Sequence, residues 1–190
     1  MAKSIVTATN RFIVIEGVDG VGKTTVSRLL AETVSAVYFQ TPSGFWKNHR
    51  GIAEKAGPCF RCIFYGLATL WASLIITSIL KRHSVVCDRY IYSTWAYHQV
   101  SASCVSNLIL KLSGILKKPD VVFYLHVSPD VRNARIGLRK DNTVSDYDES
   151  LQNEVHLNYL SFKQMVLVET TDLKPKEVVA LMMNNVEKTE

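Results

Sequence analysis

Gly17-Val18-Asp19-Gly20-Val21-Gly22-Lys23-Thr24 satisfies the spacing G-x-x-x-x-G-K-[ST]. Glycines so placed let the main chain curl until its N–H groups surround an oxyanion, and a helix opening at the lysine adds its positive end. Lys23 can neutralise the outer oxygens of a polyphosphate, and the Thr24 hydroxyl can ligate a magnesium ion carried with it. The candidate cradle for the phosphates of ATP is therefore Gly17, Gly20, Val21, Gly22, Lys23, Thr24 and Thr25. Asp19 lies inside the same loop, where bound phosphates would repel its carboxylate. It is expected to point away from them and to serve a second ligand.

Two further groups of residues suit the same chemistry. Asp88-Arg89-Tyr90 closes an apolar run, Ser84–Asp88, so a carboxylate and a guanidinium would emerge together at one strand end. Arg89 can hold a phosphate bidentately, and Asp88 can reach the magnesium shell alongside Thr24. Arg135 and Arg139 are one helical turn apart and share a face, leading into a polar segment, 141–148, that can close over a nucleotide. With Lys23 they form a candidate set for stabilising a phosphoryl group in transfer while water is kept out. The five histidines have no metal-ligand spacing, and of these only His98 is kept as a site candidate. Cys59-Phe60-Arg61-Cys62 matches C-x-x-C, but no second pair at zinc-ribbon spacing follows, so the cysteines are read as ordinary core and helix-surface residues.

Positioning these groups requires strands that end where the chemistry begins. RFIVIE (11–16) reads as a buried strand feeding the glycine loop, with a helix from Thr24 to about Val34. VYFQT (37–41), SVVCD (84–88), VVFYLHV (121–127) and MVLVE (165–169) read as four more strands. Between them the pattern predicts a polar stretch through Pro58, a long apolar helix to Arg82, and one helix from Ser93 to about Leu116. Beyond the fourth strand, helices are expected from Pro129 to about Lys140, from Leu151 to Phe162, and from Lys176 to Val186. Strands apolar throughout and alternating with helices imply an α/β fold: a parallel sheet covered on both faces. The 190 residues suit a single domain, with residues 1–10 frayed and a short lid at about 139–149.

Composition narrows the partners. With 22 basic and 17 acidic side chains the net charge is +5, but the cations are scattered and form no block that would track a nucleic-acid backbone. Small phosphates fit better. Cys62 to Leu80 is uncharged and long enough to span a bilayer, yet periodic elements lie on both sides and Gly, Ser and Thr dilute it. It is read as a helix shared between the core and a subunit interface, not as a membrane span. Unpatterned cysteines and a first segment without an apolar signal core point to the cytoplasm.

FIVIEGVDGVGKTT, VVCDRYIYSTWAY, KPDVVFYLHVSPDVRNARIGLR and VLVETTDLKPKEVV together closely resemble thymidylate kinases, in the same order and at similar separations, from Arg11 to about Val186. The resemblance implies a P-loop three-layer fold built on five parallel strands, and a homodimer paired through helices of the 62–80 region. It implies transfer of the γ-phosphoryl of Mg-ATP to dTMP or a related nucleotide. On this resemblance Asp19 meets the acceptor sugar, Arg89 holds the acceptor phosphate, and Arg135 and Arg139 match lid arginines. Gly20 stands where some members carry an extra arginine, so this chain resembles the lid-arginine type. Phe64 matches the ring that stacks on thymine, and Tyr97 and His98 fall on the acceptor side. Three positions depart from the family pattern: Gln40 and Ala68 stand where arginines are usual, and His98 where glutamine is common. The departures bear on the acceptor, not on ATP.

Two other readings have distinct requirements. A nucleoside or other small alcohol as acceptor would need a general base, and Asp19 is the candidate. A GTPase switch or regulatory ATPase would need N-K-x-D and D-x-x-G, which Lys117-Lys118-Pro119-Asp120 and Asp88-Arg89-Tyr90-Ile91 fail to supply.

Overall fold

Five of the apolar runs pair side by side as parallel strands: β1 (Phe12–Glu16), β2 (Val37–Gln40), β3 (Val85–Asp88), β4 (Val121–His126) and β5 (Val166–Glu169), in the order β2-β3-β1-β4-β5. This arrangement comes from a computed structural model that describes residues 10–138 and 148–187. β1 is central and entirely buried, as its uninterrupted apolar run requires. Its side chains alternate between two layers. Ile13 and Ile15 pack with Leu30 of α1 (Lys23–Thr33) and with residues farther along the chain, including Val178 and Met182. Phe12 and Val14 face the opposite way, towards Ala72 and Ile76.

Ala72 and Ile76 belong to a long helix that follows two short ones: α2 (Gly44–Asn48), α3 (Arg50–Lys55) and α4 (Pro58–Ile79). After β3 come α5 (Ile91–His98) and α6 (Ser103–Leu112), with a single 3-10 turn at Ser113–Ile115. After β4 come α7 (Pro129–Gly137) and α8 (Glu149–Leu160), and β5 leads into α9 (Pro175–Glu187), which carries Val178 and Met182.

Three expectations need correction. The stretch between β2 and α4 is helical in two pieces, not irregular. The helix expected from Ser93 to Leu116 is two helices, because the turn at 99–102 closes on the His98 carbonyl through the N–H groups of Ser101 and Ala102, and a new helix opens at Ser103. The last two positions assigned to the lid belong to α8, with Asp148 as its N-cap accepting from the Leu151 N–H at 3.0 Å. The rest of that segment, 139–147, which includes Arg139, lies outside the described residues.

Register brings the functional ends together. Ile15 lies opposite Asp88, Glu16 opposite Tyr124, and Gln40 opposite Asp88. The glycine loop after β1 and the Asp-Arg pair at β3 therefore leave neighbouring strands at the same edge, where open α/β sheets bind ligands.

Candidate active site

The loop between β1 and α1 is set by backbone that only glycine adopts easily: Gly20 and Gly22 have φ of +91° and +94°. Gly20 is also pinned by packing, since a Cβ there would lie 2.8 Å from Arg132 Cγ and 3.0 Å from Ile136 Cγ1 on α7. Position 20 therefore has no room for an arginine while α7 keeps its seat. On the same helix Arg135 reaches the loop, its Nη1 donating to the Val21 carbonyl at 3.3 Å. Thus α7 brings the Arg135 guanidinium against the glycine loop.

Lys23 opens α1 and is buried, donating from Nζ to the Val18 carbonyl at 2.6 Å and lying 3.8 Å from the Asp19 carboxylate. Burial, reinforced by the nearby Arg89 charge, lowers its pKa to about 8, against the pull of Asp19, Asp88 and Glu16. Thr24 Oγ1 donates to Asp88 Oδ2 at 2.6 Å, and the same oxygen takes the Tyr38 hydroxyl at 3.3 Å and the Gln40 amide at 3.5 Å. The other oxygen, Asp88 Oδ1, is buried and accepts no hydrogen bond among the described residues. A hydroxyl and a carboxylate with a spare buried oxygen, all hard donors, fit a magnesium ion and its water shell.

The candidate residues for an acceptor are held by α5 and the residue before it, together with Asp19 of the loop. Arg89 takes a left-handed backbone conformation, φ +72°, with its N–H on the Ile15 carbonyl at 3.0 Å. Its guanidinium lies over the Tyr97 ring at 5.4 Å, and Nη2 donates to Asp19 at 2.5 Å. The other Asp19 oxygen takes the Tyr97 hydroxyl at 2.9 Å. Asp19, Arg89 and Tyr97, picked out separately from the sequence, thus form one ion-paired group.

Phe64 of α4 is buried and meets Trp46 of α2 in a T-shaped contact at 5.0 Å. Phe64 also meets Tyr65 at 5.5 Å, so the aromatic surface near this helix is a cluster of rings that includes Trp46, not a single ring. His98 is buried, with Nδ1 2.7 Å from the Thr94 carbonyl, so the proton sits on Nδ1. Burial lowers its pKa and keeps the ring neutral. Beside it Tyr65 donates to Glu54 at 2.6 Å, tying α3 to α4.

A 340 Å³ cavity opens on the other side of the glycine loop, between α1 and the turn after β5, lined by Thr25, Arg135, Thr170, Leu173 and Pro175 among others. Of that lining Gly20, Val21, Gly22, Thr25 and Arg135 were expected from the sequence, whereas Val26, Thr170, Leu173, Pro175 and Val178 were not. Glu16, Ser93 and Tyr159, bonded to one another behind Arg89, were also missed. Glu16 had a legible signal, a lone carboxylate ending an otherwise apolar strand. Trp46 had none, hidden in a stretch without periodicity.

Comparison with known proteins bears on this geometry. The family model described as thymidylate kinase matches residues 15–182. The chain belongs to the thymidylate kinase family, ATP-dependent nucleoside-monophosphate phosphotransferases. It is 32% identical to a probable thymidylate kinase of Methanocaldococcus jannaschii, over 89% of this chain and 92% of that one. A probable thymidylate kinase of Methanococcus aeolicus is 31% identical over 80% of each. The fold is similar to that of thymidylate kinase from Candida albicans, with a TM-score of 0.78 at 19% identity, covering 96% of this chain and 93% of that one.

Proposed function

We propose that this thymidylate kinase family member transfers the γ-phosphoryl group of Mg-ATP to the phosphate of dTMP or a closely related nucleoside monophosphate. One observation supports a phosphate acceptor above others: Arg89, half-buried, stands beside Asp19 one strand away from the triphosphate cradle. An alcohol acceptor would require Asp19 as general base. With Arg89 on one oxygen and the Tyr97 hydroxyl on the other, both of its oxygens already accept hydrogen bonds, which suits a group that orients a sugar hydroxyl better than one that deprotonates it. A phosphate acceptor is already anionic and needs positioning and charge neutralisation.

In this reading Lys23, the loop N–H groups and Arg135 hold the donor phosphates, and Arg89 holds the acceptor phosphate. Asp19 is released to the sugar when that phosphate arrives. Magnesium would be held by Thr24 and, through water, by Asp88; when bound it neutralises charge on the donor oxygens. Phe64 with Trp46 offers the stacking surface for the base, and Tyr97 and His98 complete the acceptor wall. Arg139 adds a second cation from the segment after α7. The whole chain acts as one kinase unit, as a homodimer paired through α4, in a reducing compartment such as the cytoplasm, in keeping with its four unpaired cysteines.

The test is ADP release measured with ATP and, in turn, dTMP, other nucleoside monophosphates and thymidine. Turnover with dTMP or another monophosphate and none with thymidine is expected. Turnover with thymidine alone would transfer the role of base to Asp19 and overturn the reading.

A further inference from the structure

Glu16, the last residue of β1, is completely buried. Four donors converge on its carboxylate. The main-chain N–H groups of Tyr90 and Ser93 reach Oε1 at 2.8 and 3.3 Å, the Tyr159 hydroxyl reaches Oε2 at 3.1 Å, and the Ser93 hydroxyl donates to Oε2 at closer range. A carboxylate accepts all four without conflict, whereas a protonated carboxyl would set its own O–H against one of them. Burial raises the Glu16 pKa, and the Ser93 hydrogen bond and the Arg89 charge oppose it.

Proton accounting gives this cluster a direction. The Ser93 hydroxyl has one proton, and it goes to Glu16. Its lone pairs are left for donors, the Tyr159 hydroxyl at 2.9 Å and, on the other side, Arg89 Nη1 at 3.3 Å. The guanidinium is thus gripped from two sides: Nη1 through Ser93 to Glu16, and Nη2 by Asp19. The two carboxylates differ in access, since the Asp19 side chain is 33% exposed and that of Glu16 is sealed. An arriving dianion can take the place of Asp19 on Nη2. It has no path to Glu16.

We infer that Glu16 is a positioning residue for the acceptor phosphate: through Ser93 it keeps the Arg89 guanidinium in place while the phosphate replaces Asp19 on the outer edge. Glu16 is the fixed half of the clamp and Asp19 the exchangeable half. The same carboxylate fixes the first turn of α5 through the Tyr90 and Ser93 N–H groups, so the left-handed turn at Arg89 is held from behind as well. This inference rests on Arg89 as the acceptor-phosphate residue.

The experiment compares Glu16→Gln and Ser93→Ala with the unaltered full chain, by steady-state kinetics in ATP and dTMP and by thermal melting. Ser93→Ala removes only the relay and leaves Glu16 its main-chain partners. Both variants are expected to raise KM for dTMP at least tenfold while KM for ATP stays within twofold, and Ser93→Ala is expected to melt within a few degrees of the parent. Equal losses for both substrates, or a lowered melting temperature with KM for dTMP unchanged, would make Glu16 a fold-maintaining residue only and overturn the inference. If the unaltered protein turns over no nucleoside monophosphate at all, the reading of Arg89 falls and takes this inference with it, a result distinct from parental activity with indifferent variants.

Discussion

Lys23 has to bring a positive charge into a loop that burial makes unfriendly to it, and its pKa near 8 records the conflict. Bound phosphates would resolve it by favouring the protonated amine. The sign of the pH effect follows: below about 8 the free enzyme already holds the proton, whereas above that value binding must take one up. ATP affinity should therefore fall by up to about tenfold per pH unit above pH 8. Titration calorimetry in buffers of different ionisation enthalpy would show the proton uptake, and Lys23→Met should abolish the inflection; an unchanged inflection would assign it elsewhere. The apo protein moves the other way. Its unfolded chain keeps the Lys23 proton up to the ordinary value near 10.5, so Lys23 makes stability rise with pH between about 8 and 10.5. At Asp88 the spare buried oxygen beside Thr24 predicts a metal effect. Asp88→Asn should raise the magnesium concentration for half-maximal turnover by about 10- to 100-fold while the circular dichroism spectrum stays the same. An unchanged magnesium requirement would remove Asp88 from the metal shell.

Gly20 shows how one element seats another, because α7 rests on the loop through Arg132 and Ile136, both buried, and Arg135 on that helix then reaches Val21. Gly20→Ala combines a positive φ with a Cβ inside contact distance of two packed side chains. It should cost about 1–3 kcal/mol, read as a lower melting temperature, and should lower kcat by displacing Arg135. A variant with parental melting and kcat would show that α7 yields freely at this contact. At this scale β1, β3 and β4 and the glycine loop were legible because burial on both faces leaves a continuous apolar run and the loop chemistry is local, while the half-buried edge strands β2 and β5 showed as short β-branched and aromatic runs. The short helices α2 and α3 were not, since five and six residues carry too little periodicity to separate from a polar loop. The break between α5 and α6 was masked by apolar residues on both sides of a turn whose closure depends on the His98 carbonyl. Glu16, Ser93 and Tyr159 meet only because β1, α5 and α8 converge, which no spacing along the chain records.

For the whole molecule the unresolved demand is the outer face of α4. Cys62, Ala68, Ala72 and Ile76 face inward and are buried, while Phe60, Ile63, Leu67, Trp71 and Leu74, spaced by three, four, four and three residues, form one exposed stripe with Leu74 61% exposed. Leu70 and Ile75 on the same helix are half-buried. On α6, Leu108 and Leu112 are exposed as well. The helix is long and apolar enough to cross a membrane by length and composition. Insertion, however, would strip Ala72 and Ile76 from Phe12, Val14, Val85 and Cys87, at a cost of about 1.5–3 kcal/mol for each large side chain exposed. A two-fold contact between copies would cover the stripe without disturbing that packing, and it is the commonest closed assembly. Light scattering without detergent should therefore give about twice the 21.4 kDa chain mass. Leu67→Glu and Leu74→Glu place a charge at the centre of the apolar contact, where it would be buried without a partner, and each should return the protein to monomer. Leu181→Glu, which adds the same charge to an exposed leucine on α9, should leave the dimer intact. A monomer in the unaltered protein, or a dimer insensitive to both α4 charges, would mean that this stripe is not where the copies meet.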